Sequence, residues 1–389
     1  MRRLYARGTV VIFEAAQCVK CGLCLAQCPT YGLTASEAQS PRGRIALIQA
    51  LDRGQLQGDR HTADLLDSCL LCRRCEKVCP SGVPFAALMD KGRAMVRPSL
   101  PVQEKWLAAI LSRPWLSRVL VASGKLLPKG ASLGRFAAQA SLRTLGLKPH
   151  YFPKGKKAAG RVGLFAGCTS ALLDREAVQA ALALLLQAGF EVVVPVAQQC
   201  CGALDAHAGN AGRAARLMKA NESAFRDAGP LDAIVSIATG CGAQLHDYES
   251  LPAPHEDICS FLARREVLEK LRFRALDASM AVHLPCSLVN VLQHEQAVLR
   301  LLERIPGLRA AEVGRRGACC GAAGTAVLLR PRVAEHLRTP LVEEIAVFSP
   351  DGVLSGNVSC RMHLAAGDDQ AGRAYLHPLV LLAQQLIRE

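Results

Sequence analysis

The stretch CVKCGLCLAQCP, Cys18 to Pro29, sets four cysteines in eleven residues and follows them with a proline; CLLCRRCEKVCP, Cys69 to Pro80, repeats the spacing. In C-x-x-C-x-x-C a short loop brings three thiolates onto three irons of one cubane, and the fourth cysteine, too remote, ligates the neighbouring cluster. Cys18, Cys21, Cys24 and Cys79 are thus expected to hold one [4Fe–4S] cluster, and Cys69, Cys72, Cys75 and Cys28 the other. Pro29 and Pro80 should stop each run from continuing helically. Structural zinc, commonly bound by two C-x-x-C pairs, has no use for a third cysteine at the same pitch.

Between the runs, SPRGRIALIQALDRGQ carries Ile45, Ile48 and Leu51 at helical spacing, and strand signals are weak. Residues 1–97 therefore read as a helical module with two [4Fe–4S] clusters. Seventeen cysteines in 389 residues, with VVIF too short for a signal-peptide core, favour metal or redox chemistry in a reducing cytosol over a disulfide framework. No apolar run reaches the roughly 20 residues that span a bilayer. The strongest, Ala177 to Ala197, is interrupted by Gln179, Gln187, Gly189 and Glu191 and reads as a buried helix followed by a strand.

The formal charge of +14 raises nucleic-acid binding, yet only 17 residues are aromatic and the densest basic runs are KGKK (Lys154 to Lys157) and arginine doublets. Thiolate-bound clusters would subtract roughly two charges each. An acidic partner or an anionic membrane surface suits the remainder. Residues 98–158 form a helical connector rich in Leu, Arg, Pro and Gly, with both tryptophans, Trp106 and Trp115. Apolar faces with basic flanks fit either an interfacial helix or packing on protein, and Pro114 breaks the pattern.

From about residue 159 the signals alternate between β and α. RVGLFAGC, FEVVVPVA and LDAIVSIATGC read as strands separated by helices, and SMAVHLPC, LRAAEVG and DGVLSGNVSC restart the order, with SLVNVLQHEQAVLRLLERI as a helix. The cysteines quantify the duplication. Cys168 precedes Cys200 by 32 and Cys201 precedes Cys241 by 40; Cys286 precedes Cys319 by 33 and Cys320 precedes Cys360 by 40. The copies, 159–278 and 279–389, are offset by 118 or 119 residues at each cysteine, which marks an internal repeat. The fold class expected is α+β multidomain: a helical two-cluster ferredoxin module, then two tandem α/β Cys-Cys-Gly repeats with parallel strands.

Ligands of open α/β sheets bind beyond the carboxyl ends of strands. The thiols of each repeat, Cys168, Cys200, Cys201 and Cys241, then Cys286, Cys319, Cys320 and Cys360, are expected to converge there as a further cluster or redox site. Gly202 and Gly321 would let the backbone pass close to the bound group. His246 and His363 are adjacent candidates as ligands or proton donors. GCGAQL (Gly240 to Leu245) lacks the third glycine of a dinucleotide loop, and no G-K-[ST] loop occurs, so no flavin is expected on this chain.

Two four-cysteine runs followed by two Cys-Cys-Gly repeats resemble the iron–sulfur subunits of bacterial glycolate oxidase, with relatives in anaerobic glycerol-3-phosphate dehydrogenase and methanogen heterodisulfide reductases. CVKCGLCLAQCPTYGL, SPRGRIALI, CLLCRRCEKVCPSGV, AGCTSALL, QQCCGALDAH, TGCGAQLHDY, LPCSL, ACCGAAGTAVL and GNVSCRMHL carry the likeness from about residue 11 to the C-terminus. The resemblance implies a subunit that takes electrons from a flavoprotein partner oxidising glycolate to glyoxylate and passes them to a membrane quinone. It also implies a cytoplasmic location at the inner face of the membrane. The family's fuller repeat ends in C-x-x-C, whereas here Ala238 and Asn357 stand three residues before the last cysteine. A heterodisulfide-reductase-like catalytic subunit, or a subunit serving lactate or glycerol 3-phosphate oxidation, are the alternatives. A redox-sensing nucleic-acid binder has only the net charge in its favour.

Overall fold

A computed structural model of the chain describes residues 12–100, 102–111, 113–126, 140, 142, 145–155, 157–168, 170–368, 370 and 372–387. Val10, Val11, Lys156 and the connector stretch 127–139 lie outside them.

The N-terminal region is built from helices Pro41–Asp52, Arg60–Asp67 and Phe85–Val96, with shorter turns at the cysteine runs. Ser40 starts the first by accepting from the amide of Gly43, and Pro41 supplies a preset φ at the first helical position. Ile45, Ile48, Leu66, Leu88 and Met89 form the core, and Cys18, Cys69, Cys75 and Cys79 pack against its edge. Pro29 acts differently from the sequence expectation. It opens helix Pro29–Thr34 directly after Cys28, because a proline at the first helical position gives up no hydrogen bond.

The repeats each form a sheet. Strands β1 (His150–Tyr151), β2 (Arg161–Phe165), β3 (Glu191–Val193), β4 (Ala233–Ser236) and β5 (His255–Asp257) run in the order β1-β3-β2-β4-β5. Strands β6 (Ala278–His283), β7 (Leu308–Val313), β8 (Gly352–Leu354) and β9 (Ala374–Leu376) run β7-β6-β8-β9. All pairs are parallel except β1 on β3, so β3-β2-β4-β5 and β7-β6-β8-β9 are the same arrangement used twice. The short strands β1, β5 and β9 have no clear sequence signal.

Helix Arg175–Gln187, the first long one of repeat 1, packs on Pro378–Gln385, the last of repeat 2; Glu295–Leu302 of repeat 2 packs reciprocally on Ile258–Leu262 of repeat 1. One core therefore runs through both sheets, holding Leu184, Leu185, Phe261, Leu301 and Leu382. Truncating a residue such as Leu185, fully buried, to alanine costs about 2–5 kcal/mol. Across this seam Arg361 pairs with Asp174, both buried.

The helix expected over SLVNVLQHEQAVLRLLERI is broken, and so is the helical stretch after β2. Asp174 separates Ser170–Leu173 from Arg175–Gln187, and a π-helical turn, Leu288–Leu292, ends at Gln293 with φ +56° before Glu295–Leu302 begins. Among the described residues no helix is long and apolar enough to cross a membrane.

Candidate functional site

The two cysteine loops share one backbone shape. Lys20 and Leu71, each two residues after the first cysteine, have φ +57° and +48°; Gly22 and Arg73, each four after it, have +86° and +56°. Three of those four are not glycine, and left-handed backbone of that kind costs of order 1 kcal/mol or more each, a strain retained where a loop must wrap a group. Alternation of left-handed residues also turns successive amides inward, making a concavity suited to an anionic centre.

Cys18, Cys21, Cys24 and Cys79 line one small cavity, and Cys75 of the second run lines it too. Cys21 is exposed, the others half-buried. Cys28 is an electrostatic neighbour of both Cys72 and Cys75, and Cys69 of the same two. The structure thus brings each expected set of four together.

A buried arginine ties the two runs. Arg44, fully inaccessible, donates to the carbonyls of Leu65 (3.0 Å) and Gln39 (2.7 Å), and to the hydroxyls of Thr30 (3.1 Å) and Ser68 (2.8 Å). Thr30 in turn lies 3.2 Å from Cys28 Sγ, and Ser68 precedes Cys69. One guanidinium therefore orients the two runs' contributions to the second set of thiols.

Burial pushes the Cys72 and Cys75 thiols up, and the neighbouring thiols add to it. Burial also raises Cys24. Without a cation these groups keep their protons; binding iron displaces them, which couples cluster insertion to proton release.

In the repeats, Cys168 and Cys286 each follow the central strand, β2 or β6, by three residues. Cys200–Cys201 and Cys319–Cys320 follow β3 and β7. Cys241 and Cys360 are third in the eight-residue helices Thr239–His246 and Val358–Ala365. Cys168 Sγ lies 3.5 Å from Cys200 Sγ, and Cys320 Sγ 3.0 Å from Cys360 Sγ. The Cys168 and Cys201 thiols both donate to Cys200, which holds it well below the usual thiol range and pushes its two donors up. Cys319 is raised by its hydrogen bond to Cys286.

All eight repeat cysteines, together with Cys69, line one cavity of about 540 Å³. The expected convergence goes further than one spot per repeat, since the two sets face the same space. The N-terminal region closes it. Asn290 bridges the carbonyls of Cys72 and Gly317, Arg73 pairs with Asp247 at 2.7 Å, and Arg93 donates to the carbonyls of Cys69 (2.6 Å) and His207 (3.0 Å). Cys72 consequently becomes an electrostatic neighbour of Cys319.

Several expectations need correction. Gly202 (φ +87°) and Gly321 (φ +91°) carry a packing demand the sequence did not show: a Cβ would meet the Ala214 carbonyl at 3.3 Å and the Ala334 carbonyl at 2.4 Å. His363 Nε2 is 3.0 Å from the Ala334 carbonyl, a packing role away from the cavity. His246 also lies off the cavity, near His255 and His294. His255 is pushed down to about 4, chiefly by burial. Arg93 and Asn290 carry no sequence signal of their role, and Arg44 carries one alone, its place on the same helical face as Ile48 and Leu51.

The donor sets suit iron–sulfur clusters: strained loops curled round grouped thiols, with the amide of Leu71 3.5 Å from Cys69 Sγ and that of Gly321 3.4 Å from Cys319 Sγ. Among the described residues no group of three or more His, Cys, Asp or Glu is arranged to chelate a single metal ion.

Comparison with known proteins agrees. Residues 14–83 match the 4Fe-4S dicluster domain family, and 162–246 and 280–365 each match the cysteine-rich domain family. The chain is 31% identical to the glycolate oxidase iron–sulfur subunit of Escherichia coli (strain K12), over 96% of this chain and 94% of that protein. It is 28% identical to the probable glycolate oxidase iron–sulfur subunit of Bacillus subtilis (strain 168), with the same coverage. One subunit of the fumarate reductase (CoM/CoB) of Methanothermobacter marburgensis is 25% identical over 91% of this chain and 68% of its own length.

Proposed function

Because the chain belongs to the family of glycolate oxidase iron–sulfur subunits, we propose that it carries electrons from a flavoprotein subunit oxidising glycolate to glyoxylate toward a membrane quinone, from the cytoplasmic face. The observation that carries this reading is the unbroken succession of thiol sets. It begins at exposed Cys21, passes through Cys18, Cys24 and Cys79, then Cys28, Cys69, Cys72 and Cys75, and reaches the cavity shared by the repeats. Two [4Fe–4S] clusters held by the first eight cysteines would supply one-electron carriage; a further cluster would be held by the repeat thiols. Arg44 fixes the spacing of the two runs, and Asn290, Arg73 and Arg93 hold the N-terminal region over the cavity so that thiols on either side stay adjacent.

A second reading, disulfide reduction at the cavity, draws on eight thiols facing one space. Ala238 and Asn357 occupy the positions of the extra thiols of the fuller repeat, and Asn357 instead lies 3.4 Å from Cys360 Sγ.

The test is iron and acid-labile sulfide per chain, with EPR, on protein purified anaerobically and mixed with its flavoprotein subunit and glycolate. About eight irons or more, reduced by glycolate only when the flavoprotein is present, is the expected result; about twelve or more would place metal in the repeats. Clusters that stay oxidised beside a glycolate-reduced flavin would overturn the glycolate reading, and lactate and glycerol 3-phosphate as donors distinguish the alternatives.

A further inference from the structure

Although no local basic run is long, charge is distributed very unevenly along the chain. Residues 105–173 contain twelve Lys and Arg and not one Asp or Glu, against a formal charge of +14 for all 389 residues. Both tryptophans of the protein fall at or near the start of this stretch, on helices Val102–Leu111 and Pro114–Gly124, which pack on each other.

The second of these helices has two faces. Ser117 and Val121, one turn apart, are buried and line the thiol cavity. Trp115, Val119, Ala122 and Leu126, at helical spacing of four, three and four, form an outward stripe in which every residue is exposed: Trp115 by 65% and Leu126 by 87%. On the preceding helix Val102 and Trp106, again one turn apart, are exposed as well. The ionisable side chains described beside the stripe, Arg113, Arg118 and Lys125, are all cationic.

We propose that this face, Val102 and Trp106 together with Trp115, Val119 and Leu126, is a docking surface for an anionic phospholipid membrane. An apolar stripe bearing indoles, with Arg113, Arg118 and Lys125 beside it on the second helix and Glu104 as the single carboxylate of the two helices, matches an interface in which acyl chains lie beneath negative headgroups. A protein partner presents both signs of charge at a polar rim, and from Val102 to Leu173 Glu104 alone could answer its cations, against twelve Lys and Arg. Because the opposite face of the same helix lines the cavity, docking sets the near wall of the thiol cavity about one helix diameter, about 10 Å, behind the headgroups. The inference rests on the proposed electron-transfer reading only in giving that proximity a purpose. Membrane binding itself is read without turnover.

The two indoles report on these helices alone, so the experiment is direct. Full-length holoprotein is mixed with vesicles of phosphatidylcholine, with or without phosphatidylglycerol, while sedimentation and tryptophan emission are followed. Expected are co-sedimentation with the phosphatidylglycerol vesicles, a blue shift of emission, protection from acrylamide, and reversal by salt. The double variant Trp115→Ser/Leu126→Ser, altering only exposed side chains, should weaken partitioning about tenfold or more while keeping its iron content. No binding at low salt, binding with unchanged emission, or equal binding by the variant would overturn the proposal. So would a blue shift on adding the flavoprotein subunit with loss of vesicle binding, which would assign the face to a protein partner.

Discussion

The side-chain amide of Asn290 donates to the backbone carbonyl of Cys72 at 2.8 Å and, from the same nitrogen, to that of Gly317 at 2.9 Å. Asn290 sits in the π-helical turn of repeat 2, Cys72 in the second cysteine run, and Gly317 two residues before Cys319. Its counterpart in repeat 1, by the offset of 118 that holds at Cys168 and Cys286, is Leu172, which carries no amide. The N-terminal region is therefore clamped to repeat 2 by a contact that repeat 1 lacks. Asn290→Ala should strand two carbonyls and cost about 1–3 kcal/mol. Faster proteolytic separation of the N-terminal region, together with a lower unfolding midpoint, is the expected readout; an unchanged digestion pattern would count against the clamp.

Arg44 is buried with no carboxylate partner among the described residues and is satisfied by two carbonyls and two hydroxyls. Arg44→Met removes all four donations and should cost about 3 kcal/mol or more, since hydrogen bonds from a charged donor contribute about 1.5–3 kcal/mol each, even though Thr30 and Ser68 still donate to the Gln39 and Leu65 carbonyls. Lysine cannot span Leu65, Gln39 and Ser68 at once, so Arg44→Lys should fail to restore the protein. Iron per chain is the measurement. A full complement of iron in Arg44→Met would show that the runs hold their register without the guanidinium.

Acid should loosen the seam between the repeats. His377 Nε2 lies 3.2 Å from the Ile237 carbonyl of repeat 1, while Nδ1 accepts from the Leu379 amide at 3.1 Å, an arrangement only the neutral ring satisfies. Burial, and secondly the charge of Arg361, push it down to about 3; burial takes His283 to about 4. With both lowered from 6.5, the unfolded chain binds protons that the folded chain refuses as pH falls from about 6.5 toward 4. Each contributes stability above pH 6.5 and loses about 1.4 kcal/mol per pH unit below it. Denaturant midpoints should therefore fall between about pH 7.5 and about pH 5.5, and less so in His377→Gln. Identical pH profiles for the two proteins would refute the assignment to His377.

The parts legible in the sequence are those with period or spacing. The duplicated cysteines announced the two sheets, because a thiol placed after a strand in one copy must recur after the same strand in the other. Buried β2, β4 and β6 were readable as continuous apolar runs, as parallel strands are. What escaped was decided by tertiary contact. β5 and β9 are three residues each, too short to carry a pattern, and form by pairing with β4 and β8. The reciprocal helix exchange, the single cavity for both thiol sets, and the clamps by Asn290 and Arg93 join residues more than a hundred positions apart. No local window contains them.

Cys72 offers the sharpest separation of electron transfer from substrate oxidation. It lies beside Cys28, Cys69 and Cys75 on one side and Cys319 on the other, where the second thiol set meets the repeats. Cys72→Ser, with Cys72→Ala as the form that offers no oxygen ligand, should lose about four irons while the first set, Cys18, Cys21, Cys24 and Cys79, keeps its cluster. The flavoprotein partner should still reduce its own flavin with glycolate, because in the proposed complex that pocket belongs to the partner. Electrons should then fail to reach a quinone analogue. Iron content, flavin bleaching and quinone reduction are measured on the same assembled complex, so a folding defect, which would remove all the iron, is distinguished from a broken path. Quinone reduction at the parent rate by Cys72→Ala, with its iron diminished, would mean that electrons bypass the second set, and the order of carriers proposed here would be wrong.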